Sequence, residues 1–181
     1  MPDLLPPPLL SAGPFTLRPF HLGDATVVME AGRDPLIPLV TTVQAGGNLQ
    51  QAEAFIKRQH QRLSTGQGYS LAIANAQDQA IGQIGLWPAA QGRASIGYWV
   101  VSSQRRQGVA VQALRSISRW GLSLPELHRL ELYIEPWNES SWRTAERAGY
   151  QREGLLRSWQ TVGEKRRDMW MYSLIQHDPE C

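Results

Sequence analysis

Between Ser70 and Val101 the apolar residues stop recurring at the 3.6-residue period of a helix and begin to alternate, and no other feature constrains the fold as much. Upstream, Ala52, Phe55, Ile56, Gln59 and Leu63 fall on one stripe of a helix that begins near Asn48 and ends at Gly66 and Gly68. Three alternating runs then follow in succession, Ser70 to Ala74, Ala80 to Trp87 and Ala94 to Val101, parted only by Asn75 to Gln79 and Pro88 to Arg93. Turns this short join antiparallel neighbours, because parallel strands need a long crossover. Val111, Leu114, Ile117 and Leu122 mark a further helix, and Leu127 to Glu135 alternates again. A helix over 139–148 and two strands near Tyr150 to Trp159 and Arg167 to Ile175 complete the chain. With an opening strand at Phe15 to Phe20 and a helix after Asp24 that Pro35 and Pro38 stop, the order is βααβββαβαββ.

The 181 residues, 42% apolar and 19% charged, suit one domain whose core needs no disulfide or metal. Prolines at 2, 6, 7, 8 and 14 predict a mobile tail over 1–13, a single domain over 14–176 and a short second tail over 177–181. The single cysteine, Cys181, is the last residue, so no internal disulfide forms and a reducing cytoplasm is expected. No apolar run reaches membrane-spanning length, and the first residues lack the pattern of a signal peptide, so no membrane is expected. Sixteen of the eighteen basic residues are arginine, but they are spread along the chain, and no nucleic-acid partner is expected. The four histidines are scattered without metal-ligand spacing, so no metal is expected either.

The chemistry concentrates in Ile96 to Ala110, where a strand runs straight into a small-residue loop that opens a helix. The first N–H groups of a helix lack intrahelical partners and share its positive dipole end, so such a junction binds anions. Gly108 and Ala110 allow phosphates to approach, while Arg105 and Arg106 add attraction. The loop has neither the GxxxxGK[ST] nor the GxGxxG pattern, but Arg105-x-x-Gly108-x-Ala110 fits the [QR]-x-x-G-x-[GA] signature of acyl-coenzyme A binding.

Further landmarks occur in order. They are Thr16-Leu17-Arg18-Pro19, Ile81-Gly82-Gln83-Ile84-Gly85, Ile96-Gly97-Tyr98-Trp99, Asn138-x-x-Ser141, Glu146-Arg147-Ala148-Gly149-Tyr150, Glu153-Gly154 and Arg167-Asp168-x-x-x-Tyr172-Ser173-Leu174. From about Phe15 to Leu174 the chain resembles the GNAT superfamily of N-acetyltransferases, in its Rim-type branch of ribosomal-protein N-terminal acetyltransferases. The resemblance implies the GNAT fold, of α/β (α+β) class: a single mixed, mostly antiparallel twisted sheet of about seven strands with helices on both faces. The fourth and fifth strands run parallel and splay to admit pantetheine. Acetyl-CoA is the implied acyl donor, and a homodimer is common among such proteins. The implied donor site consists of Trp99, Val100 and Val101 pairing with pantetheine, and Arg105, Arg106, Gln107, Gly108, Val109 and Ala110 around the pyrophosphate. Asn138 and Ser141 complete it, Asn138 serving equally as a helix N-cap.

Many relatives carry a tyrosine acid seven residues after the asparagine, where this chain has Ala145; the Rim-type branch carries a serine, here Ser141. Many also carry an acidic residue two places before the Gly-Tyr pair, where this chain has Ser95. Glu131, Glu135 and Tyr98 are left as groups able to orient a water that removes the amine proton. At pH 7 an α-amine of pKa about 7.7 is roughly 15% neutral, against ~0.04% for lysine, so an α-amine is the easier nucleophile. Three functions follow: a transferase acting on protein N-termini, a transferase acting on small amines, or a non-catalytic acyl-coenzyme A binding module.

Overall fold

The computed structural model describes residues 9–176 and residue 178. The strands are β1 (Leu10–Ala12), β2 (Phe15–Arg18), β3 (Tyr69–Ala74), β4 (Ala80–Ala89), β5 (Arg93–Val100), β6 (Arg129–Ile134), β7 (Gln151–Val162) and β8 (Lys165–Ile175). The helices are α1 (Ala25–Gly32), α2 (Ile37–Val40), α3 (Leu49–Ser64), α4 (Val109–Ser123) and α5 (Glu139–Arg147). One sheet contains all eight strands in the order β1-β2-β3-β4-β5-β6-β8-β7, and only β5 and β6 are parallel.

The strand added to the expected seven is β1, so residues 10–12 do not belong to the proline-rich tail. They pair with β2, Leu10 opposite Leu17 and Ala12 opposite Phe15. Pro14 falls in the turn, where a missing N–H costs no ladder bond. Ser116 on α4 fastens the strand by donating to the Ser11 carbonyl at 2.8 Å. Residues 1–8 of that tail lie outside the described residues, as do 177 and 179–181 of the second. Pro38 does not end a helix either; it sits in the first turn of α2, where proline is tolerated.

Helices cover both faces of the sheet because successive residues of the central strands point to opposite sides. Leu71, Ile73 and Val100 join Leu114 and Ile117 of α4 and Ala145 of α5 in one core. Ala72, Trp99 and Val101 join Val28 of α1 and Phe55 and Ile56 of α3 in the other. Reciprocal 3.0 Å bonds between Asn48 and Gln51 cap α3 at its start.

The parallel pair is short. Arg93, Ala94 and Ser95 pair with Arg129, Leu130 and Glu131, and beyond them the two strands diverge. Next to the paired end, Arg129 holds Glu153 of β7 through contacts of 2.8 and 2.5 Å. The Arg129 bonds, then the Ser173 hydroxyl, pull the Glu153 carboxyl down to about 2. A depressed carboxylate stabilises the fold above its ordinary value near 4.5, and that contribution is lost as pH falls towards 2. Glu153→Gln should therefore flatten the fall in Tm between those limits in acid melts. Because Glu153 is 42% exposed, screening limits the effect to about 1 kcal/mol or less.

Candidate active site

Divergence of β5 from β6 opens a cleft of about 600 Å³ that passes through the sheet. Backbone parity on its β5 edge follows from one bond, Val101 N–H to the Ile81 carbonyl at 3.1 Å. Alternation along an antiparallel pair then turns the N–H and C=O of Trp99 towards β4, and those of Tyr98 and Val100 towards the gap. The Val101 carbonyl is also taken, by Gln104 N–H at 3.0 Å. Of the three residues expected to face pantetheine, Val100 alone turns its backbone there, its N–H open and its carbonyl accepting from Arg105 Nε at 2.9 Å, and Tyr98 is the second open position. The Trp99 indole is buried in the α1–α3 core, donating to Gln83 Oε1 at 2.6 Å.

At the end of β5 the chain makes a short 3-10 turn over Ser102–Gln104 and enters α4 through Gly108, whose φ of +76° only glycine adopts readily. A Cβ at Gly108 would meet nothing within 4 Å, so the space in front of the loop is open. Val109, Ala110 and Val111 supply the first N–H groups of α4, which an anion in that space can reach. The Val109 side chain is buried in the core, leaving its backbone to the loop. Arg106 and Gln107 are exposed. Arg105 turns back from the loop: Nε donates to the Val100 carbonyl at 2.9 Å and Nη2 to Asp34 at 2.6 Å. These residues fit a pyrophosphate and a pantetheine arm.

On the α4–α5 side of the cleft, Asn138 caps α5 by accepting Ser141 N–H at 3.3 Å. The cap directs Ser141 at β5, where its Oγ lies 3.1 Å from the Tyr98 hydroxyl. Burial raises the Tyr98 pKa against smaller opposing effects of Ser141 and Thr144, so the phenol keeps its proton at neutral pH. Two candidates 43 residues apart in sequence thus form one hydroxyl pair.

On the opposite side, Glu131 is not among the residues lining the cleft. Arg129 Nε at 2.7 Å and the Tyr133 hydroxyl at 2.6 Å hold its two oxygens, with Arg93 at 3.7 Å. Burial acts to raise its pKa, but the Tyr133 and Arg129 bonds outweigh it and the carboxyl is lowered. Glu131 is therefore a braced, ionised group away from the gap. Tyr133, pushed up to about 12 by burial and by Glu131, lines the cleft and stacks on Trp159 at 5.4 Å. Glu135, two residues on, also lines the cleft, with Arg167 at 3.5 Å.

The rest of the cleft lining includes residues the sequence reading passed over: Leu36 just before α2, Leu39 and Val40 of α2, Arg62 of α3, Trp87, and Trp137. The β4/β5 register sets Gly85 opposite Gly97, and the Trp87 indole lies across both. A Cβ at Gly85 would come within 2.4 Å of the ring, and one at Gly97 within 3.2 Å. Two facing glycines beside a tryptophan were the available signal.

Comparison with known proteins agrees with this architecture. The acetyltransferase (GNAT) domain family matches residues 15–151. An uncharacterized N-acetyltransferase p20 of Bacillus licheniformis is 28% identical over 166 residues, covering 90% of this chain and 93% of its own. Among solved structures, a putative ribosomal-protein-serine acetyltransferase from Vibrio cholerae superposes with a TM-score of 0.80 at 23% identity, covering 95% of this chain and 99% of its own. Mycobacterium smegmatis RimJ in complex with CoA-disulfide gives 0.76 at 23% identity, covering 93% and 85%. The chain belongs to the GNAT acetyltransferase family. It is an acetyl-CoA-dependent N-acetyltransferase, and the reading as a non-catalytic module falls. No helix among the described residues is long and apolar enough to cross a membrane.

Proposed function

We propose that this enzyme acetylates the α-amine of polypeptide N-termini, as Rim-type enzymes do. The charge of the acceptor end carries the reading: among the described residues, Glu135 is the only carboxylate lining the cleft, beside the cations of Arg62 and Arg167. A polyamine, with several positive charges, calls for several acids at the binding site. A single α-amine does not, and it reaches its neutral form near pH 7 far more readily than lysine. The exposed side chains of Leu36, Leu39, Val40 and Trp137 at the mouth give the first residues of a polypeptide apolar surface to lie on.

Bound acetyl-CoA supplies a thioester carbonyl open to attack. The Val100 N–H, the Tyr98 backbone groups and the 105–110 loop hold the donor, while Glu135 receives the amine proton through a water. The Tyr98–Ser141 pair, on the other side of the sheet, donates to the departing thiolate. Acid and base are thereby kept on opposite faces, so neither neutralises the other.

Coenzyme A release should be measured with acetyl-CoA and three acceptors: peptides with free N-termini, the same peptides N-terminally blocked but containing lysine, and spermidine. Rapid release with the first set and little with the others is expected. Faster turnover of spermidine would transfer the assignment to small amines.

A further inference from the structure

Two contacts join the donor loop to α1 and to the start of α2 across more than seventy residues of sequence. Ser103 donates to Glu30 at 2.7 Å, and Arg105 Nη2 donates to Asp34 Oδ2 at 2.6 Å. The second continues in both directions. Towards the donor, Arg105 Nε grips the Val100 carbonyl, one of the backbone groups facing the gap. Towards the acceptor, Asp34 Oδ1 accepts the N–H groups of Leu36 and Ile37 at 2.8 and 3.1 Å and so opens α2.

At its other end α2 is held by the Thr41 hydroxyl on the Ile37 carbonyl at 2.7 Å, by Arg58 on the Thr42 carbonyl at 3.1 Å and by buried Val43, but its own packing is slight. It has four residues, too few to persist as an isolated helix, and Ile37 is its only buried side chain. Leu39 and Val40 are 51% exposed, yet they and Leu36 form one wall of the cleft. The donor loop also holds one non-glycine residue, Arg106, in the left-handed region at φ +62°. Segments with so little burial open at low free energy, so a contact shared between them moves their order together.

We infer that Arg105 is a positioning residue that couples the two half-sites: an anion seated in the 105–110 loop steadies Arg105, Arg105 steadies Asp34, and Asp34 holds α2 in the shape that receives the acceptor. Donor binding thereby orders the acceptor wall, and by linkage acceptor binding favours the donor. The inference rests on the donor site and is independent of which amine is the acceptor, so failure of the amine panel above would leave it standing.

Hydrogen exchange of the full chain, followed by mass spectrometry with and without coenzyme A, provides the test. In the parent, saturating coenzyme A should slow exchange over residues 36–41 by about fivefold or more, the low end of ordinary intersite coupling. In Arg105→Ala, brought to the same occupancy as judged by calorimetry, the slowing should vanish, and Arg105→Lys should restore part of it. Arg105→Gln replaces the alanine variant should that one fail to fold. Ser103→Ala should keep the slowing, because Glu30 lies on α1 and does not cap α2. Slowing that survives in Arg105→Ala or Arg105→Gln overturns the coupling, as does its absence in a parent shown to hold coenzyme A. A parent that binds no coenzyme A overturns the donor site and the coupling with it.

Discussion

Gly108→Glu should abolish donor binding while leaving the protein folded. No Cβ contact stands in the way, so the substitution packs without collision and its side chain projects into the space meant for phosphate. Two costs then separate. Forcing an L-residue to φ +76° takes about 1–2 kcal/mol from stability, a Tm fall of a few degrees. The carboxylate meanwhile repels the pyrophosphate and blocks the N–H groups of α4; losing two charge-assisted bonds alone is about 3–6 kcal/mol, or ~10²–10⁴-fold in affinity. Gly108→Asn separates the contributions, since asparagine tolerates the left-handed region and carries no charge. It should bind coenzyme A more weakly than the parent and far more tightly than the glutamate variant. Calorimetric titration beside a thermal melt checks both, and a folded Gly108→Glu protein binding within about threefold of the parent, well under 1 kcal/mol, would remove the loop from the donor site.

The loop could be read from sequence because its requirements are local: a strand, small residues, one left-handed position and a helix start lie within fifteen residues of chain. The acceptor wall could not be, because it depends on register. Trp87 lies over Gly85 and Gly97 only once β4 and β5 pair so that the glycines face each other. Glu131 and Glu135 show the same limit. Alternation puts both on one side of β6, but which reaches the cleft depends on where β5 and β6 part, and the last pair is Ser95 with Glu131. Glu131 therefore stays in the paired region among Arg93, Arg129 and Tyr133, and Glu135 falls beyond it. Arg105 carries a double meaning of another kind: as a loop residue it suggests phosphate attraction, but Asp34, 71 positions away, turns it into a brace.

Ser141→Ala and Tyr98→Phe form the second test, because the structure joins them in one hydroxyl pair and the reaction needs only one proton at the thiolate. Each deletion should lower the single-turnover rate by about 10–10³-fold, at or below the usual span for general acids because coenzyme A is already a fair leaving group. The direction of the relay decides how the two compare. If Ser141 touches the sulfur and Tyr98 refills it, the serine variant loses the donor outright and the tyrosine variant only its resupply, so Ser141→Ala falls further; the reverse order points to Tyr98 as the immediate acid. In either case the double variant should be no slower than about the worse single one, since groups acting as a unit are strongly non-additive. Coenzyme A affinity should hold within about threefold in both, because alanine favours the helix and the Asn138 cap uses the Ser141 backbone, not its hydroxyl. The pH profile supplies the sign. With its pKa raised by burial, Tyr98 stays protonated, so the parent rate should climb as the amine deprotonates and show no descending limb below about pH 10. A falling limb near pH 8 that disappears in Tyr98→Phe would contradict that assignment, and independent, multiplicative losses in the double variant would show that the two hydroxyls do not act as one acid.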